Sequence, residues 1–147
     1  MYQEQLTQAL SIAAAPIHPA QYAAGTQNTG GLDMQLFKRA TFLLDVGAFG
    51  GGGTIDMKLQ ESTDNITFTD LAGTNVAITQ LVAAGGNNRL ATLEVRADQL
   101  TKRYVRALVT IGVAATIFGC LPLGGEAIHK PGNVNDVAAV VQRAVVA

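Results

Sequence analysis

The chain has 147 residues, 48% of them hydrophobic and only 14% charged, with a net charge of −1 at neutral pH. Its length fits one domain with enough chain to bury a core, and its near-zero charge excludes a strong general attraction to nucleic acid or to an anionic membrane. A charged fraction well below the ~25% of ordinary soluble domains leaves weakly polar surface of the kind that a partner covers.

Residues 1–15 place Tyr2, Leu6, Ala9, Leu10 and Ala13 at helical spacing, and Pro16 and Pro19 end anything helical there. Residues 21–31 are uncharged and rich in Gly, Asn and Thr, which predicts a loop or an extended arm. The first 37 residues are therefore expected to form an N-terminal arm and loop whose ordering cost is offset against a neighbour.

A β region is expected over residues 38–126. In 41–46, Phe42, Leu44 and Val46 share a face, and 47–53 is a glycine-rich connection. In 54–60 the alternation is clean, with Ile55, Met57 and Leu59 on one side and Asp56, Lys58 and Gln60 on the other. That pattern is a strand with one wet face. Residues 62–65 supply turn chemistry, and Ile66 and Phe68 are expected to resume the alternation. A further strand is predicted over 75–82, closed by the Gly-Gly-Asn-Asn turn at 85–88.

In 89–96, Ala91, Leu93 and Val95 face inward and Thr92, Glu94 and Arg96 outward. Residues 98–101 suit a single helical turn at a corner. In 102–111, Val105, Ala107, Val109 and Ile111 face in, and Tyr104, Arg106 and Thr110 face out. Residues 114–123 are apolar on both faces, as in a central strand or one that a partner covers. Short strands at this spacing, joined by Gly and Asn turns, predict an all-β fold: an antiparallel β-sandwich, jelly-roll-like.

Residues 127–147 read as a C-terminal arm. Asp136 is placed to cap a short helix carrying Val137, Val140, Val141, Ala144 and Val145 on one stripe, although a Val-rich segment of this length cannot hold a helix alone. An extended strand added to a neighbour's sheet edge is an equal expectation. The apolar side chains of both arms, Tyr2, Leu6, Leu10, Tyr22, Val137, Val140, Val141 and Val145, are the expected partner-binding residues.

The chemistry-bearing side chains point away from catalysis. The glycines at 50–53 lack the following Gly-Lys-Ser/Thr of a phosphate loop. His18 and His129 sit beside prolines with no second ligand at metal spacing. Asp56, Asp64 and Asp70 lack the calcium-loop spacing and suit turns. Lys102, Arg103 and Arg106 form the single basic cluster, expected to be solvated or to face carboxylates of an adjoining subunit in preference to phosphates. Cys120, the only cysteine, lies in an apolar run and reads as a buried small hydrophobe. Asn65-Ile66-Thr67 matches the glycosylation acceptor pattern, one too short to weigh alone. No catalytic, cofactor-binding or metal-binding residue is expected. Neither a basic leader nor a membrane-spanning apolar run is visible in the sequence; Arg103, Arg106, Gly112, Gly119 and Pro122 interrupt the longest apolar region.

The run Lys58-Leu-Gln-Glu-Ser-Thr-Asp-Asn-Ile-Thr-Phe-Thr-Asp70-Leu-Ala-Gly73, followed by Lys102-Arg-Tyr-Val-Arg-Ala-Leu-Val-Thr110, resembles small β-sandwich proteins of tailed-bacteriophage virions, and most of all the capsid cement (decoration) proteins. The resemblance covers roughly residues 58–123. It implies a non-enzymatic protein that adds to the outer face of an icosahedral shell, bridges major capsid proteins and resists the pressure of packaged DNA. Its implied partners are the major capsid protein and further copies of itself, as a homodimer or homotrimer. Neither nucleic acid nor membrane is an expected partner. The implied location is the capsid surface of the virion after synthesis in the host cytoplasm. The competing expectations are a tail or head-completion subunit and a carbohydrate-binding module. The absence of Trp weakens the last of these.

Overall fold

The computed structural model describes residues 5–129, 135, 136, 138–142 and 144. In chain order the strands are β1 (Leu10–Ser11), β2 (Ile17–Tyr22), β3 (Gly25–Asn28), β4 (Leu32–Asp33), β5 (Phe37–Phe49), β6 (Thr54–Ser62), β7 (Thr69–Asp70), β8 (Leu81–Val82), β9 (Arg89–Arg96), β10 (Tyr104–Gly112) and β11 (Thr116–Ala127). They form two antiparallel sheets. One runs β1-β11-β5-β9, with β2 also on β11; the other runs β3-β10-β6-β7, with β4 on β10 and β8 on β6. The fold is an all-β sandwich. Its long strands alternate between the sheets in chain order: β5, β9 and β11 in the first, β6 and β10 in the second.

The alternating segments form strands because one side chain in two can be buried. Ile55, Met57 and Leu59 of β6 and Val105, Ala107, Val109 and Ile111 of β10 are buried against Phe42, Leu44 and Val46 of β5 and Leu93 and Val95 of β9. Each large apolar side chain so buried contributes about 1.5–3 kcal/mol relative to exposure. Register is continuous over β6 and β10, from Tyr104 opposite Ser62 to Gly112 opposite Thr54. At the corner after β9, Ala97–Gln99 make the single helical turn expected there.

The N-terminal region departs from the expectation of an arm. One short helical turn, Leu6–Ala9, precedes β1, and β1 to β4 occupy the edges of both sheets. Leu32 is fully buried, and Thr29 and Ala107 exchange main-chain and side-chain bonds, Thr29 N–H to the Ala107 carbonyl at 3.1 Å and Ala107 N–H to Thr29 Oγ1 at 3.0 Å. Pro19 is tolerated in β2 because β2 is an edge, where a missing N–H costs no ladder bond. The pairing of β2 with β11 shifts register between Phe118 and Cys120, and Gly119 at the shift allows the close approach: a Cβ there would stand 3.1 Å from the Pro19 nitrogen.

Two other segments differ. Ile66 and Phe68 do not resume a strand, because Ser62 and Asp64 capture the turn. Asp64 Oδ1 accepts from the N–H groups of Ile66 and Thr67 at 2.9 and 2.8 Å, leaving Ile66 exposed. The strand predicted over 75–82 shrinks to β8 plus one bridge between Ala77 and Lys58. At the C-terminal end, Asp136 does cap, its Oδ1 accepting from Ala138 N–H at 3.0 Å, but the described residues show a turn at 138–139 in place of a helix.

Candidate functional site

The two outer faces of the sandwich differ in chemistry. On the β6–β10 face the polar side chains satisfy one another. Lys58 Nζ and Gln60 Nε2 donate to Asp70 at 2.6 and 2.8 Å. Arg106 donates to Gln60 Oε1 through Nε and Nη2 at 3.0 and 2.8 Å and to Asn28 through Nη1 at 3.1 Å, with its guanidinium 3.9 Å from the Phe68 ring centre. Burial pulls the Arg106 pKa down from its ordinary value. Arg103 grips Asp33 through two bonds, Nε to Oδ1 at 2.9 Å and Nη2 to Oδ2, and lies over Tyr104. Lys102 Nζ donates to Thr69 Oγ1. The basic cluster is thus engaged within its own chain.

The β11–β5 face carries an apolar patch, beside which Arg39 pairs with Glu94 and Glu126 at 3.0 and 3.3 Å and Asp45 is exposed. Outward positions carry Leu43 on β5, Ile117, Leu121 and Leu123 on β11, Leu90 on β9 and Leu10 on β1. Leu121 stands directly opposite Leu43 in the ladder. Leu90 is 70% exposed. A core strand alternates because water lies on its far side; here the far side of β11 is apolar as well.

Part of this face is covered by the chain's own C-terminal segment. Asp136 N–H donates to the Ile12 carbonyl at 2.6 Å, and Ile12 N–H donates to Asn135 Oδ1 at 2.9 Å. The Asp136 carbonyl then accepts from Val140 N–H at 2.8 Å. The turn lays Ala139 at the rim of a cleft of about 390 Å³ between β2 and β5, and Val140 into a second of about 370 Å³ lined by Leu6, Leu10, Ile12 and Leu123.

Three of the residues expected to bind a partner, Leu6, Leu10 and Val140, therefore meet around one cleft. Val141 stands beside it, 91% exposed. Tyr22 lies elsewhere: its ring packs on Phe118 with centroids 4.9 Å apart and its hydroxyl donates to the His18 carbonyl at 2.8 Å, so it is a structural residue at the sandwich edge. Tyr2, Val137 and Val145 fall outside the described residues. The sequence reading missed Leu123 in this cleft and Leu43 and Leu121 in the other. The signal that could have found the two on β11 was the two-sided apolarity of residues 114–123.

Chemically the clefts offer apolar contact and few oriented polar groups. Among the described residues no group of three or more His, Cys, Asp or Glu side chains could hold a metal ion. Burial pushes the Cys120 thiol up to about 12, and its sulfur lies 3.8 Å from that of Met57. No helix among the described residues is long and apolar enough to cross a membrane.

No family model matches the sequence, and no curated protein matches it either. Solved structures do share the fold. The PBSX exported protein XepA superposes with a TM-score of 0.55 at 17% identity, over 92% of this chain and 45% of its own. This chain thus spans less than half of XepA. The VP2 subviral particle of infectious bursal disease virus gives a TM-score of 0.47 at 13% identity, over 81% of this chain and 33% of VP2. The likeness to XepA establishes the sandwich architecture over nearly the whole chain.

Proposed function

We propose that this chain is a non-enzymatic virion structural protein that binds the outer surface of an icosahedral capsid and cements the shell of major capsid protein. The observation that carries the reading is the exposed apolar patch of the β11–β5 sheet, where Leu6, Leu10, Leu90 and Val141 meet solvent beside two apolar clefts, while the β6–β10 face is polar and hydrogen-bonded within itself. Burial of such surface is worth about 25 cal/mol per Å², is non-directional, and sums over several weakly held subunits. A cement needs that kind of binding. The partners on this reading are the major capsid protein and other copies of the chain, and the place of action is the capsid surface after synthesis in the host cytoplasm. The sequence resemblance to cement proteins and the sandwich fold support the same reading.

Co-sedimentation with expanded phage heads stripped of this protein tests it. Saturable binding is expected, with at least tenfold weaker binding by a Leu6→Asp, Leu10→Asp double variant that melts as the parent does. Undiminished binding by that variant would move the contact away from this face. A stable ring with no affinity for heads would make the chain a tail or head-completion part.

A further inference from the structure

The edges of the two sheets are not treated alike. An open edge presents unpaired N–H and C=O groups, and folds blunt such edges with short strands, prolines, bulges or lysines. Here β1, β4, β7 and β8 are two residues each and β3 is four. β2 carries Pro19 and a register shift. β9 has none of these devices. It runs eight residues, pairs with β5 in unbroken register from Arg39 opposite Arg96 to Val46 opposite Arg89, and contains no proline, glycine or lysine. Among the described residues β5 is its sole strand partner.

The charges on β9 do not guard it either. Glu94 accepts from Arg39 at 3.0 Å, Arg96 pairs with Asp98 at 3.1 Å, and Arg89 Nε donates to the Gly85 carbonyl at 3.3 Å. The inward positions Ala91, Leu93 and Val95 are apolar, so a strand added here extends the core as well as the ladder.

We infer that β9 is the pairing edge for a second copy of this chain, β9 lying antiparallel to its twin about a two-fold axis at Thr92. The sequence is compatible with itself in that register. Leu93 falls opposite Ala91, Glu94 opposite Leu90, Val95 opposite Arg89 and Thr92 opposite Thr92, so no like charges meet and the central pair is one that hydroxyls can bridge. A register centred on Glu94 would set two carboxylates face to face. Leu90, exposed beside the apolar patch of Leu43 and Leu121, then borders the twin's strand, and the patches of the two copies lie on one continuous sheet. An isologous contact of this kind closes at two copies.

The mass of the full chain in solution, by light scattering, tests the pairing. A dimer is expected, and Thr92→Lys, which sets two ammonium groups opposite each other on an exposed position, is expected to give a monomer that still unfolds cooperatively, with a melting temperature that no longer depends on concentration. Thr92→Cys is expected to form a reducible intermolecular disulfide on mild oxidation, with the buried Cys120 taking no part. A monomer at the highest soluble concentration overturns the inference, as does a Thr92→Lys dimer or a Thr92→Cys dimer that resists oxidation. The pairing stands apart from shell binding: a dimer that ignores heads leaves it intact, and a monomer that cements heads overturns it alone.

Discussion

Glu61 on β6 and Thr101 beyond β9 lock the corner where the chain passes from one sheet to the other. The Glu61 carboxylate accepts from Thr101 Oγ1 at 2.6 Å and from Thr101 N–H at 2.9 Å, and a third bond comes from Lys102 N–H at 3.2 Å. The residue is 6% exposed. Desolvation of the carboxylate pushes its pKa up, but the three hydrogen bonds together outweigh it and leave the group below its ordinary value. Bonds to a buried charge are worth about 1.5–3 kcal/mol, and losing one partner leaves donors unsatisfied. Glu61→Gln removes the charge: its amide oxygen can take the place of Oε2 and still accept from both N–H groups, but as a neutral acceptor, while its NH2 replaces Oε1 and forces the Thr101 hydroxyl to turn from donor to acceptor. A loss of about 2 kcal/mol is expected, read by urea unfolding, with an unchanged m-value.

Acid sensitivity follows from the same group and three others. The Asp33 carboxyl is lowered by its Arg103 hydrogen bonds, against some desolvation, and that of Asp70 by the hydrogen bonds from Lys58 and Gln60. The N–H groups of Thr67 and Ile66 and the Ser62 hydroxyl bring Asp64 down to about 2. A carboxyl whose pKa is lower in the folded chain binds fewer protons there than when unfolded. Its stabilisation is therefore complete above the unfolded value, about 4, and is lost as pH falls through the folded one. Stability is expected to be level from about pH 7 to 5 and to decline from about pH 4 to 2. Glu61→Gln should make that decline shallower; an identical slope would show that Glu61 does not contribute to it.

The long strands were legible because each buries every second residue: Ile55, Met57 and Leu59, or Val105, Ala107 and Val109, stand on one face with polar neighbours between them. The N-terminal strands were not. A two-residue strand has no period, and Pro19 and Gly25 read as loop although they sit on edge strands that need few donors. Phe68 fits a strand by local pattern, because Ile66 and Phe68 extend the alternation of β6. Its ring instead supports Arg106, a contact between residues 38 positions apart that no local pattern encodes. Of the proposed binding surface, Leu6, Leu10 and Val140 are readable as apolar side chains on segments too weak to stand alone. Their convergence depends on Asp136 N–H reaching Ile12, a long-range bond.

Val113 carries local strain. It joins β10 to β11 with φ at +67° and is 78% exposed. A β-branched side chain in the left-handed region costs about 1–2 kcal/mol, and Asn tolerates that region better. No burial offsets the cost at this position. Val113→Asn is expected to raise stability by about 0.5–1 kcal/mol, seen as an upward shift of roughly 1–4 °C in melting temperature. No change, or a fall, would mean that the valine has a contact that compensates for its backbone.

Cys120 gives a native probe of opening. Its thiol is buried on β11 among core side chains, against Met57, and is held near 12 by desolvation, so almost no thiolate exists at neutral pH. Because the thiolate is the reacting species, labelling by a thiol reagent in the folded chain should proceed only through opening of the sandwich. An unfolded cysteine has a pKa near 8.5 and reacts freely, so the labelled fraction against urea should follow the unfolding curve measured by circular dichroism. Labelling well before that curve would place a local opening at the β2–β11 edge, where the ladder shifts register at Gly119. Cys120→Ser puts a hydroxyl among apolar side chains, and a loss of about 1–3 kcal/mol is expected with head binding unchanged. Weakened binding at unchanged stability would instead make the thiol part of the contact surface.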